Sequence, residues 1–124
     1  MLYALPGPTI AAGESMSNAV DCGGNQILRI VTPDGWDAAP ITFQLSPDNV
    51  KFSDLYHVQV GNGQFLPYEV TVPALPDGVI LSMPPESGER IFWIRIRSGT
   101  RAVPVVQSHE RTFQIVMWVP DAGA

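Results

Sequence analysis

Two stretches near the C-terminal end of the chain constrain its fold most strongly. Residues 91–100 and 111–119 both alternate apolar and polar side chains, and both are rich in β-branched and aromatic residues. A period of two places successive side chains on opposite faces of a strand, which is typical of half-buried antiparallel sheets. No window of comparable length combines a helical period with capping residues at both ends. The pattern therefore predicts an all-β protein.

The rest of the chain extends this pattern to eight or nine short strands separated by Pro-, Gly- and Asp-rich turns. A Gly23-Gly24-Asn25 turn is expected to separate a strand at 15–22 from a second strand at 26–31. Further along, a returning strand opens at 52–58, and a Gly61-Asn62-Gly63 loop leads to alternating residues 68–72. This spacing favours an antiparallel β-sandwich of jelly-roll-like type over a closed barrel.

The alternation also predicts which side chains form the core. The residues expected on inward sheet faces are Phe43, Leu45, Ile94, Ile96, Phe113 and Ile115. Their neighbours Thr42, Gln44, Arg95 and Arg97 are expected to point outward into solvent.

A chain of 124 residues fits a single domain of ordinary size. We expect residues 1–12 to form an extended N-terminal arm, 13–120 the β-sandwich domain and 121–124 a short tail. The arm carries apolar residues between its prolines, namely Leu2, Tyr3, Leu5 and Ile10. These predict that it docks on its own domain or on a neighbour, and removal of residues 1–10 is expected to leave the sandwich folded.

Charge and composition argue against several classes of protein. A net charge of −5 disfavours nucleic acid as a partner, because phosphates require a basic surface. No apolar run approaches the ~18–20 residues of a membrane helix, and the N-terminus lacks the basic region of a secretory signal. The single Cys22 cannot close an intramolecular disulfide. Synthesis in the cytoplasm fits these features.

The charge is distributed unevenly along the chain. Residues 1–88 carry nine acids and two bases, whereas residues 89–124 carry five Arg and three acids. Arg95, Arg97 and Arg101 form an Arg-rich strip in this second part. The strip is interpreted either as the solvated face of a strand or as a contact for an acidic partner or for another copy.

The sequence contains no recognisable catalytic or metal-binding pattern. Only two histidines are present, and the adjacent Ser108, His109 and Glu110 cannot converge as a catalytic triad does. The histidines and Cys22 are not spaced as zinc ligands. We expect a protein without enzymatic activity, cofactor or metal.

Several motifs occur here in an order that resembles small structural proteins of tailed bacteriophages and prophages. An alternating strand leads to a Ser46-Pro47-Asp48 turn and to Asp54-Leu55-Tyr56. A later strand ends in Arg97-Ser98-Gly99-Thr100, followed by Pro104-Val105-Val106-Gln107 and the strand at 111–116. The resemblance covers roughly residues 15–118.

The resemblance implies a virion component made in the bacterial cytoplasm, specifically a head decoration (cement) protein that binds and stabilises the major capsid shell. The implied partners are the major capsid protein and further copies of the chain, without nucleic acid or membrane. Trp36 in a turn is a candidate contact or a lid on its own core. The alternatives are a carbohydrate-binding sandwich of a tail fibre, and a head–tail connector or minor tail subunit.

Overall fold

The computed structural model describes residues 1–73, 80–82 and 90–119 of the chain. Within these residues there are nine strands and no helix, and hence no helix long and apolar enough to cross a membrane. The strands are β1 (Leu2–Ile10), β2 (Val20–Val31), β3 (Ile41–Ser46), β4 (Ser53–Asp54), β5 (Tyr56–Gly61), β6 (Gln64–Glu69), β7 (Ile80–Ser82), β8 (Arg90–Ser98) and β9 (Arg111–Trp118). The tail predicted at 121–124 lies outside the described residues.

Seven strands form one antiparallel sheet in the order β1-β9-β2-β8-β3-β4, with β7 also paired to β2. The strands β5 and β6 form a separate two-stranded hairpin. Buried residues of β1, β2 and β9 join those of β3 and β8 in one hydrophobic core. The all-β antiparallel sandwich predicted from the sequence is confirmed.

The long strand β2 joins the two halves of this sheet. Its first part pairs with β8, and its second part pairs with β9 on one side and β7 on the other. The turn predicted at Gly23-Gly24-Asn25 is wrong, because the strand continues through it with a shift of register. Gly23 and Gly24 lie at this irregularity and both adopt positive φ, a conformation that suits glycine, and the strand continues beyond them.

Most of the predicted core is confirmed. Five of the six side chains, Phe43, Ile94, Ile96, Phe113 and Ile115, are at most 3 % exposed, and Leu45 is half-buried at the margin of the core. The register of β3 and β8 pairs Thr42 with Arg97, which places both on the opposite face of the sheet. The prediction that these two side chains point into solvent is wrong, because that second face is covered as well.

The segment predicted as an N-terminal arm is the edge strand of the main sheet. Residues of β1 pair with β9 from Leu2 opposite Trp118 to Ile10 opposite Arg111. Pro8 and Ile10 are fully buried. The segment therefore docks on its own domain, and it contributes both hydrogen bonds and core side chains.

Candidate interaction surfaces

The three arginines of the predicted strip are engaged within the chain. The Arg95 guanidinium carbon lies 3.7 Å from the centroid of the Phe52 ring, a cation–π contact. Arg97 is 5 % exposed and binds two carboxylates, whereas the Arg101 side chain is 66 % exposed. The prediction that Arg97 contacts a partner is wrong, because this side chain is covered by the chain itself.

Arg97 is the centre of a polar cluster that joins three elements. It donates a hydrogen bond of 3.2 Å to Glu69 Oε2 and another to Asp54 Oδ1. Arg101 adds its Nε at 3.5 Å from Asp54 Oδ2 and a backbone N–H bond of 3.1 Å to Glu69. Burial raises the pKa of Asp54, but hydrogen bonds from Arg97 and Gln44 and the charges of Arg97 and Arg101 bring it below its ordinary value. We call Asp54, Glu69, Arg97 and Arg101 the arginine clamp.

The Arg-Ser-Gly-Thr turn that carries the phage resemblance has a structural role here. Gly99 adopts a φ of +92°, and a Cβ at this position would collide with the Val103 carbonyl oxygen. Thr100 Oγ1 accepts a hydrogen bond of 3.1 Å from the Val103 N–H, which closes the turn. Only glycine fits at position 99 without displacing this backbone.

Gln107, the last residue of Pro104-Val105-Val106-Gln107, is fully buried and joins the loop at Asp37 to the end of β8 and the start of β9. Its amide nitrogen donates to Ser98 Oγ at 2.8 Å and to the Asp37 carbonyl at 3.2 Å. Its amide oxygen accepts from the Asp37 N–H at 2.9 Å and from Arg111 Nε at 3.2 Å. The polar atoms of the Gln107 side chain are therefore satisfied within the fold.

Trp36 and Ile10, for which the sequence left open a partner contact or packing within the domain, lie in the core. Trp36 is 8 % exposed, its ring packs edge-on against Phe113 with centroids 5.5 Å apart, and its Nε1 donates to the Ala39 carbonyl at 3.1 Å. Ile10 is fully buried. Of the two alternatives, packing within the domain is confirmed for both side chains, and a partner contact at either residue is wrong because both are enclosed.

The beginning of β1 remains accessible. Leu2 and Tyr3 are 58 % and 45 % exposed, and Leu5 is half-buried against the core. Leu2 lies opposite Trp118 on the outer face of the sheet, and Trp118 is itself 52 % exposed. Within residues 1–73, 80–82 and 90–119, this corner is one of two exposed apolar surfaces on paired strands.

The other exposed apolar surface is the β5–β6 hairpin, which sequence reasoning missed. Its turn has positive φ at Asn62 and Gly63, the conformation that suits a two-residue hairpin. Six of its large apolar side chains are 42–76 % exposed: Tyr56, Val58, Val60, Phe65, Leu66 and Tyr68. Residues 56–68 contain no Asp, Glu, Lys or Arg. The hairpin is thus an uncharged apolar element on an acidic protein.

The pairing of the two strands places most of these side chains on one face. Val58 lies opposite Pro67 and Val60 opposite Phe65, and opposed residues of antiparallel strands share a face. Tyr56 lies on the same face at the base of the hairpin, opposite Glu69 of the arginine clamp. In the sequence, the hairpin is marked by alternating apolar residues and a Gly-Asn-Gly turn. Strands that face the core give the same pattern, so the pattern does not reveal that these side chains are exposed.

The base of the hairpin is fixed to the main sheet. Val70 N–H donates to the Leu55 carbonyl at 3.0 Å, and Ile41 and Val72 exchange two backbone hydrogen bonds of 2.8 Å. Together with the arginine clamp, these bonds hold both strands where the hairpin leaves the sheet. An isolated two-stranded hairpin has little stability of its own in water, so this anchoring is what maintains it.

The described residues offer no catalytic or metal-binding cluster. No group of three or more His, Cys, Asp or Glu side chains among them is placed to hold a metal ion. His57 packs edge-on against Tyr68, and Ser108 Oγ lies 3.0 Å from the Nδ1 of its neighbour His109 in an exposed loop. Burial, and secondarily the charge of Asp21, raises the pKa of the Cys22 thiol to about 11.

A shallow cavity of ≈ 520 Å³ lies between the turn after β3 and the start of β8. The Asp48 carboxylate on its rim already accepts hydrogen bonds from the backbone N–H groups of Val50 and Lys51 at 2.9 and 3.1 Å, and another from the Ser46 hydroxyl at 3.0 Å. These bonds close the turn, so the carboxylate serves the fold.

Comparison with known proteins adds no relative: no protein-family model matches the chain, and no curated protein and no solved structure is significantly similar to it. The features of the chain that bear on its function are the exposed surfaces described above and the motifs at 41–56 and 93–116.

Proposed function

We propose that this protein is a non-enzymatic structural subunit of a tailed-bacteriophage virion, which binds the outer surface of the major capsid shell and stabilises it. The β5–β6 hairpin is the contact with the shell. The observation that carries the proposal is the exposure of six large apolar side chains on this uncharged hairpin. The resemblance of the motifs at 41–56 and 93–116 to phage structural proteins supplies the class of partner.

The composition of the hairpin is that of the centre of a protein–protein interface. Such centres are depleted in charged residues and enriched in aromatic ones, and a few aromatic side chains provide most of the binding energy. Phe65 is 76 % exposed and lies opposite Val60, which is 68 % exposed. Contiguous apolar surface of this kind on a soluble protein marks a site that another molecule covers.

The arginine clamp supports this role because it fixes the base of the hairpin to the main sheet. A contact that reinforces a shell must be presented in one orientation, because each degree of freedom lost on binding weakens the association. Arg97 holds Glu69 at the base of the hairpin, and Glu69 also accepts the backbone N–H of Arg101. The hairpin base is therefore ordered before any partner is bound.

The proposal is tested with shells assembled from the major capsid protein of the phage that encodes this chain. The double variant Val60→Thr, Phe65→Thr keeps residues that suit a strand but removes the apolar surface. The intact protein should co-sediment with undecorated shells and raise their resistance to heat or denaturant. The variant should unfold at an unchanged temperature and bind at least about tenfold more weakly, the equivalent of ~1.4 kcal/mol.

A matched control is Val103→Thr, Val106→Thr, which changes two side chains that are 66 % and 61 % exposed in the loop before β9. This control should bind shells like the intact protein. Equal loss in both double variants would place the contact elsewhere. Absence of binding by the intact protein would reject the shell as partner, and binding to tail or connector particles, or to immobilised glycans, would then favour the alternative functions.

A further inference from the structure

The pairing of β1 with β9 determines which backbone groups of β1 point outward from the edge of the sheet. Met1 and Val119 exchange two backbone hydrogen bonds, of 2.8 and 2.9 Å. In an antiparallel ladder, hydrogen-bonded and non-hydrogen-bonded pairs alternate. The pair of Leu2 with Trp118 and the pair of Ala4 with Val116 are therefore non-hydrogen-bonded. The backbone N–H and C=O groups of Leu2 and Ala4 consequently point away from β9.

The second half of the same edge is closed to pairing. Thr9 N–H donates to Asn18 Oδ1 at 2.7 Å, and Asn18 N–H donates to the Thr9 carbonyl at 3.2 Å. Pro6 has no N–H, and a register shift follows it. Proline, bulges and capping side chains are the usual means by which proteins prevent edge-to-edge pairing. At Leu2 and Ala4 none of these devices is present.

We propose that residues 2–4 of β1 pair with the same residues of a second copy of this chain. The two strands run antiparallel about a two-fold axis at Tyr3, so that Leu2 of each copy lies opposite Ala4 of the other. This register forms four backbone hydrogen bonds and joins the main sheets of the two copies. The two Tyr3 side chains then form a closely spaced, non-hydrogen-bonded pair on one face of the joined sheet.

Charge favours a second copy as the occupant of this edge. The chain has a net charge of −5, so most surfaces of two copies repel each other. Residues 1–13 contain no charged side chain, and Leu2 and Tyr3 are 58 % and 45 % exposed. A self-complementary strip without charged side chains is what a two-fold interface between acidic subunits requires.

The contact is short, and this determines how it should behave. Stable interfaces bury about 800 Å² on each partner, which is more than three residues of one strand provide. We therefore expect weak, concentration-dependent dimers in solution. Where copies are held side by side by another contact, the same pairing becomes effectively intramolecular. The pairing itself does not depend on the proposed binding to a capsid shell.

The test uses Ala4→Pro, which removes the outward N–H of Ala4 and leaves the bonds of β1 to β9 intact. Ala12→Pro is the matched control. Gly13 has a φ of +80° and Glu14 N–H bonds the Ala11 carbonyl, so position 12 is the second residue of a type II turn, where proline is favoured. Sedimentation and amide hydrogen exchange are measured from about 10 μM to about 1 mM protein. This range detects dimers with dissociation constants up to about 1 mM.

The intact protein and Ala12→Pro should show a rise in average mass with concentration and slower exchange at the Leu2 and Ala4 amides. Ala4→Pro should remain folded and weaken dimerisation at least about tenfold, because two of the four hydrogen bonds are lost. An intact protein that stays monomeric throughout this range would overturn the proposal. Dimers that persist in Ala4→Pro, or that disappear in the hairpin variant Val60→Thr, Phe65→Thr, would overturn it as well.

Discussion

Arg97 on β8 donates a hydrogen bond of 3.2 Å to Glu69 at the end of β6, a residue 28 positions away in the chain. The same guanidinium binds Asp54 on β4, and its side chain is 6 % exposed. One buried cation therefore joins the main sheet to the base of the projecting hairpin. Its loss should affect both the stability of the fold and the order of the hairpin.

Replacing Arg97 with Ala leaves Asp54 and Glu69 without their main counter-charge. Removal of one partner of a buried ion pair typically costs about 3–5 kcal/mol, so urea unfolding of Arg97→Ala should show a loss of this size. Amide exchange in residues 56–69 should accelerate at the same time. Arg101→Ala is the control, since that side chain is 66 % exposed and its loss should cost less than about 1 kcal/mol. Equal losses in both variants would contradict the central role of Arg97.

The lowered pKa of Asp54 predicts a dependence of stability on pH. A carboxyl group whose pKa is lower in the folded protein than its ordinary value of 3.8 stabilises the fold above that value. This contribution disappears as the pH falls through the lower, folded pKa. The free energy of unfolding should therefore decrease below about pH 4. Asp37 and Asp48 also have lowered pKa values, so their ionisation likewise stabilises the fold above about pH 4. The main cause is a hydrogen bond from the Ser108 backbone N–H for Asp37 and from the Val50 backbone N–H for Asp48.

The measurement is urea unfolding between about pH 2 and pH 7 for the intact protein and for Asp54→Asn. The variant should be less stable at neutral pH and should lose less stability on acidification. Glu14→Gln, which changes an exposed carboxylate in the turn after β1, should follow the intact protein. Parallel pH profiles for Asp54→Asn and the intact protein would contradict the prediction.

Alternation in the sequence identified the two faces of β3 and β8 but not what covers them. Ile96 and Arg97 lie on opposite faces, as their period of two requires, yet both are buried. The cover on the second face is made by Asp54, Glu69 and the turn at Gly99, and these reach it through contacts distant in the chain. A local pattern carries no information about such contacts, so Arg97 was predicted to lie in solvent.

The two exposed surfaces also show that a local sequence pattern does not predict which strand faces are covered. Val58 and Val60 alternate with polar residues like the strands of the core, but no element among the described residues covers them. Leu2, Tyr3 and Leu5 were predicted to dock on a surface, and the structure identifies that surface as β9. Pairing between the first and last strands depends on the whole topology, which short-range periodicity does not determine.

Phe113 should be among the most sensitive positions of the core. It is 1 % exposed and packs against the edge of Trp36, so Phe113→Ala should cost about 3–5 kcal/mol in urea unfolding. Ile94→Ala should cost about 2–5 kcal/mol for the same reason. The matched control is Phe65→Ala, because Phe65 is 76 % exposed and its truncation should cost less than about 1 kcal/mol. A loss at Phe65 equal to that at Phe113 would mean that the hairpin is covered in the free protein.

Gly99→Ala tests the turn that follows β8. The added Cβ would require a strained positive φ and would collide with the Val103 carbonyl, so the variant should be destabilised by at least about 2 kcal/mol. Gly13→Ala separates these two effects. Gly13 also has positive φ, but a Cβ there would meet nothing within 4 Å. Its loss of stability should be smaller, and calorimetric unfolding temperatures of the two variants provide the comparison.

Removal of residues 1–10 should unfold the domain, contrary to what the sequence indicated for a separable arm. The deletion takes Pro8 and Ile10 from the core and leaves the edge of β9 without its partner strand. Loss of buried side chains leaves cavities, and a newly exposed edge promotes aggregation. We expect no cooperative thermal transition for the deleted chain, whereas Leu2→Ala, which truncates an exposed side chain of the same strand, should unfold like the intact protein. A deleted chain that remains monomeric and melts cooperatively near the intact protein would show that the remaining eight strands fold without β1.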